Sequence, residues 1–152
     1  MGFRLLARPA LRRHGHRRGG CRRWLLTRPQ FQWDDPLDFQ SLLTDEESAV
    51  QRTTRLYCQE KLLPRVIDAY RNEHYDRNIL KEMGDLGLLG ATIEGYGCPG
   101  VSSVASGLVT REVERIDSGY RSAMSVQSLL VMGPVAEHGS EEQKERWLPR
   151  LA

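Results

Sequence analysis

Apolar side chains recur at helical spacing over most of the chain from residue 44 onward. Thr44-Asp45-Glu46-Glu47 spells a capping box, and Ala49, Val50, Thr53, Leu56 and Tyr57 follow on one face, predicting a first helix from about Asp45 to Lys61. Pro64 suits the first turn of a second helix, in which Val66, Ile67 and Tyr70 share a face, ending near Asn72. Asp76 caps a third, where Ile79, Leu80, Met83 and Leu86 line up before Gly87 closes it. If Gly87 takes the left-handed conformation of a Schellman motif, Leu88 folds back onto Met83.

Ser102 or Ser103 opens a fourth helix whose stripe is Ala105, Leu108, Val109, Val113 and Ile116. Glu112 falls inside that stripe. A carboxylate on a buried face requires a partner, and Arg111 and Arg115 are near enough to pair with it, whereas Glu114 projects from the opposite side. Asp117-Ser118-Gly119 punctuates the chain, and a fifth helix runs from about Tyr120 toward Glu137, bent or ended by Gly133-Pro134. Ala123, Met124, Val126, Leu129, Leu130 and Val131 make it apolar nearly all round, which places it at the centre of a bundle; Arg121, Ser125 and Ser128 are its polar face. Ser140-Glu141-Glu142-Gln143 is a second capping box, opening a sixth helix that Pro149 brings toward a stop. The pattern predicts a mainly α protein, a helical bundle.

Charge divides the chain in two. Nine of the 22 basic residues lie before residue 34, where there is no acid, so the remaining 13 face all 20 acids, a net charge of −7. An Arg-rich, acid-free start with Phe3, Leu5, Leu6 and Leu11 interspersed matches a disordered mitochondrial targeting leader over residues 1–27, and a basic tail or RNA-binding arm is the other reading. The body itself gives no reason to expect a nucleic-acid partner. Residues 28–43 form a linker expected to dock through Phe31 and Trp33, and residues 44–152 the helical domain. No run of 18 apolar residues could span a membrane. Cys21, Cys58 and Cys98 contain no Cys-x-x-Cys pair, and the four His show no metal-site spacing, so neither a disulfide framework nor a metal is indicated.

Two stretches invite a chemical reading. Gly95-Tyr96-Gly97-Cys98-Pro99-Gly100 matches the spacing of a dinucleotide-binding loop, but that loop works only inside a βαβ unit, and helix follows helix here; a Gly/Pro connection is the simpler expectation. Arg121 is the second. A cation in the first turn opposes the helix macrodipole by roughly 0.3 to 1 kcal/mol, so it needs a counter-anion: Asp117 or Glu114 across the break, or a ligand.

Together, Ile93-Glu94-Gly95-Tyr96-Gly97, the run from Glu114 through Asp117-Ser118-Gly119-Tyr120-Arg121-Ser122 to Ser128, and Gly139-Ser140-Glu141-Glu142-Gln143 resemble the N-terminal helical domain of the acyl-CoA dehydrogenases, in particular the branch acting on glutaryl-CoA. The resemblance runs from about Arg28 to Ala152. It implies an FAD-dependent enzyme of the mitochondrial matrix, a homotetramer in full-length form, that oxidises and decarboxylates glutaryl-CoA to crotonyl-CoA and passes its electrons to an electron-transferring flavoprotein. The flavin lies mainly between later domains of such enzymes, and their catalytic carboxylate would fall beyond Ala152, so these residues alone are expected to be inactive. Arg121, with Ser122 beside it, matches the position that meets the distal carboxylate of the substrate, with Glu114 and Ser125 as possible support. Another acyl-CoA dehydrogenase or oxidase, or a non-catalytic helical interaction module, are the alternatives.

Overall fold

A computed structural model describes residues 31–152, and the predicted leader lies outside them. Thr44 accepts a hydrogen bond from the Glu47 N–H while the Glu47 carboxylate accepts one from the Thr44 N–H, the two halves of the predicted capping box. They start α1 (Asp45–Tyr57), which passes through a π-helical turn (Cys58–Leu62) straight into α2 (Leu63–Arg71). The two helices expected here are therefore one continuous rod. Pro64 has no N–H and its ring would strike the carbonyl one turn back; the wider turn, closed by the Leu63 N–H to the Cys58 carbonyl, absorbs the misfit without a break.

α3 (Asn78–Asp85) starts where Asp76 accepts from the Asn78 N–H. It ends as predicted: Gly87 sits at φ 69°, its N–H reaches the Gly84 carbonyl at 2.7 Å, and the Leu88 N–H reaches Met83 at 2.8 Å. Leu88 and Met83 are buried in one cluster. The Gly-rich loop is a small hairpin, β1 (Glu94–Gly95) antiparallel to β2 (Cys98–Pro99), turned by Tyr96 and Gly97, both at positive φ. Then come α4 (Ser103–Glu114), capped by Ser102, and α5 (Ser118–Ser125), capped by Asp117. A second π-helical turn (Val126–Met132) leads into α6 (Gly133–His138), and α7 (Glu141–Leu151) carries the second capping box. Gly133 and Pro134 repeat the logic of Pro64: the Gly133 N–H bonds the Ser128 carbonyl, and the rod continues to His138 instead of ending. Pro149 likewise does not stop α7, because in the last turn it removes only one intrahelical bond.

The core gathers Cys58, Leu62, Ile79, Met83, Val113, Met132 and Leu148, with α1 and α4 in closest association. Two expectations are corrected. Phe31 and Trp33 are 74% and 84% exposed, so the segment does not dock by its aromatics; instead Asp35 folds it locally by accepting from the Phe39 and Gln40 N–H groups. The rod containing α5 is not central either. Tyr120, Met124 and Met132 are buried, but Leu129 and Leu130 are 66% and 69% exposed, since no described element covers that side.

Candidate functional site

The site is built where α4 hands over to α5. The Asp117 carboxylate caps α5 by accepting from the Tyr120 N–H at 3.0 Å. Gly119 permits this approach, because a Cβ there would come within 2.7 Å of the Asp117 Oδ1. With Asp117 so engaged, Glu114 receives the charge. Its Oε1 accepts from the Ser118 hydroxyl at 2.5 Å and its Oε2 from Arg121 Nε at 2.6 Å. These donors hold the Glu114 carboxyl below its ordinary range, the Ser118 hydroxyl contributing most and Arg121 next. The anion against the start of α5 also resolves the dipole problem, since it lies where the helix favours negative charge and cancels the cation that opposes it.

Glu114 takes Arg121 by Nε alone. Among the described residues neither terminal guanidinium nitrogen has a hydrogen-bond partner, and the side chain is 33% exposed. The far edge of the fork is thus oriented by a fixed inner edge and left open. Ser122 is exposed, and its hydroxyl makes no hydrogen bond among the described residues. Ser125 and Ser128, further along the same face, line a hollow of about 40 Å³ with Thr92, Ser106 and Thr110. Such a space holds a water molecule and not an acyl chain. Ser128 Oγ accepts from the Gly90 N–H at 3.1 Å, and Gly90, at φ 56°, packs so closely on Met132 that a Cβ would lie 2.4 Å from its methyl. Ser106, Thr110 and Glu114 form a polar edge of α4 facing the polar face of α5. Their spacing of four, opposite the apolar stripe, is the sequence signal for that edge.

The predicted site residues thus divide. Arg121 and Glu114 are brought together, Ser125 lies on the same face over the hollow, and Ser122 stands apart from both. Larger hollows lie elsewhere: one of about 580 Å³ beside Tyr70, His74, Tyr75 and Tyr120, and one of about 370 Å³ between the arginines of α1 and α4.

The glycine hairpin does not fit a dinucleotide. Its strands pair with each other and enclose no helix, and the next helix N-terminus is filled: the Ser102 hydroxyl accepts from the Ala105 N–H and donates to the Glu47 carboxylate at 2.7 Å. A carboxylate there repels a pyrophosphate. The hairpin therefore forms no dinucleotide cradle.

This all-α arrangement, with a short hairpin between its third and fourth helices, has relatives. A family profile for the acyl-CoA dehydrogenase N-terminal domain matches residues 44–152. A probable acyl-CoA dehydrogenase of Bacillus subtilis is 37% identical over 123 residues, 77% of this chain and 19% of its own. The short/branched chain specific acyl-CoA dehydrogenase, mitochondrial, of Bos taurus is 29% identical over 118 residues, 77% of this chain and 27% of its own. Among solved structures, a glutaryl-CoA dehydrogenase from Mycobacterium smegmatis in complex with FADH2 superposes with a TM-score of 0.73 at 41% identity, over 75% of this chain and 30% of that one. The chain belongs to the acyl-CoA dehydrogenase family and contains its N-terminal helical domain. It spans less than a third of the length of these relatives.

Proposed function

We propose that the chain is the substrate-recognition part of an FAD-dependent glutaryl-CoA dehydrogenase, with Arg121 meeting the distal carboxylate of glutaryl-CoA. The observation that carries this reading is the open guanidinium edge of Arg121, held by Glu114 through Nε. A planar fork fixed at one edge is suited to a bidentate carboxylate, through charge-assisted hydrogen bonds about twice as strong as neutral ones. Glu114 and Ser118 set its direction, and Ser125 offers a hydroxyl one turn further along the same face. The similarity to a solved glutaryl-CoA dehydrogenase supports the same substrate class. Flavin, catalytic base and the electron-transferring flavoprotein that reoxidises the enzyme belong to the complete assembly, a homotetramer of longer chains in the mitochondrial matrix. The 152 residues alone are inactive, and the exposed Leu129 and Leu130 are where the rest of the enzyme packs.

A second reading has an observation of its own: because Glu114 already neutralises Arg121, the pair is also compatible with an uncharged acyl tail, as in other acyl-CoA dehydrogenases. One experiment separates the two. In the full-length enzyme carrying this domain, Arg121→Ala lowers kcat/KM for glutaryl-CoA by about 100-fold or more, while kcat/KM for butyryl-CoA changes less than about 5-fold, because only the carboxylate substrate loses a partner. Equal losses on both substrates sink the carboxylate role.

A further inference from the structure

The hollow of about 370 Å³ between α1 and α4 is ringed by four arginines, Arg52 and Arg55 from α1 and Arg111 and Arg115 from α4. Their positive charge is poorly spent. Arg111 and Arg115 share a single oxygen of the buried Glu112, at 3.5 and 3.6 Å, and Arg52 and Arg55 make no ion pair among the described residues. Each guanidinium carries five N–H donors in a rigid fork, so most donors around the hollow have no acceptor among the described residues. Asp34 and Asp35 reach the same hollow from the segment ahead of α1, but both Asp35 oxygens already accept backbone N–H groups, and Asp34 forms no ion pair among the described residues. Four guanidiniums against two carboxylates leave the lining of this partly enclosed space with a net positive charge, which focuses the field and concentrates counter-anions.

We infer that this hollow is a binding site for a diphosphate anion, clasped between Arg52 and Arg55 on one helix and Arg111 and Arg115 on the other, with Asp34 and Asp35 in the same lining as competitors. Tetrahedral phosphate oxygens match guanidinium forks bidentately, and the hollow accommodates two phosphates. The site lies on the helix pair away from the Glu114–Arg121 junction and does not depend on the glutaryl-CoA reading. The anion has two possible sources with one chemistry: free diphosphate, or the diphosphate of a nucleotide coenzyme.

Isothermal titration of the purified chain at low salt, with inorganic pyrophosphate in one arm and ADP in the other, tests it. Arg52 and Arg55 are exposed, so the Arg52→Ala/Arg55→Ala variant keeps its core. The expected result is saturable binding that weakens tenfold or more in this variant and tightens several-fold in Asp34→Asn, and the ratio of the two arms identifies the source. No binding by the native chain up to about 10 mM, an affinity well below that of ordinary sites, overturns the assignment. So does equal binding by the native chain and the double-arginine variant, or weaker binding by Asp34→Asn.

Discussion

Glu112 and Glu114 stand two residues apart on α4 and each meets arginine, yet they do opposite things. Glu112 is 2% exposed and sits within the apolar stripe; its Oε1 takes Gln51 at 3.2 Å and the more distant Arg111 and Arg115. Glu114 is 44% exposed and spends both oxygens on short bonds to one short segment, Ser118 and Arg121. The buried acid is held by several long, shared contacts from two helices and so ties α1 to α4. The exposed acid is held tightly but locally, and its effect is to aim one guanidinium. Burial and the number of elements joined, not bond length, decide which contact stabilises the fold: an exposed pair contributes little, whereas removing a buried acid leaves its buried polar partner, here the Gln51 amide, unsatisfied.

Removing Glu112 gives the largest effect. Glu112→Ala orphans the buried Gln51 amide and opens a gap between α1 and α4, while the half-exposed Arg111 and Arg115 keep their water, so it costs roughly 2 to 4 kcal/mol, a large share of a small domain's stability. A melt followed by circular dichroism reads this as a drop in Tm of ten degrees or more. A drop of only one or two degrees would mean that α1 and α4 associate through their apolar contacts alone, and the contrast with Glu114 would vanish.

Glu114→Gln gives the converse. Arg121 keeps an acceptor but loses its anion, so Tm moves by less than about 2 °C, in keeping with exposed ion pairs. On the proposed glutaryl-CoA reading, the same change in the full-length enzyme acts on recognition: KM for glutaryl-CoA is expected to rise about 10-fold with kcat little changed, since the guanidinium is less well aimed but still charged. A Tm loss matching that of Glu112→Ala would show that the two acids do the same work.

The sequence made one side of this comparison far more legible than the other. Glu112 was identifiable as a core-edge acid because its place in the stripe and its arginines at one and three residues are local facts. The capping boxes at Thr44 and Ser140 and the Schellman turn at Gly87 were legible for the same reason. The choice of Glu114 over Asp117 for Arg121 was not, because it depends on the Asp117 carboxylate being committed to the Tyr120 N–H, which only the folded turn reveals. The two π-helical turns were not legible because each spans only 5 or 7 residues, too few to establish a period of its own; Pro64 and Pro134 were visible, but a proline signals a break and a widened turn alike. An all-round apolar helix likewise cannot say whether its neighbour lies in the same 152 residues.

The smallest expected effect concerns pH. The Glu114 carboxyl is held below its unfolded-state range by the Ser118 hydroxyl and by Arg121, so its folded state binds the proton less readily than its unfolded state. The sign follows from linkage: the contribution to stability is fully present above the unfolded carboxylate value, near 4.3, and is lost as pH falls through that value toward the lower folded one. Between pH 5 and 8 Glu114→Gln should therefore differ from the native chain by a small and constant Tm offset, and that offset should shrink on acidification below about pH 4.5. Exposure to solvent keeps the offset small throughout. If the offset instead persisted unchanged to pH 3, the clamp on Arg121 would be held by hydrogen-bond geometry and not by charge, and the line between the two glutamates would have to be drawn on burial alone.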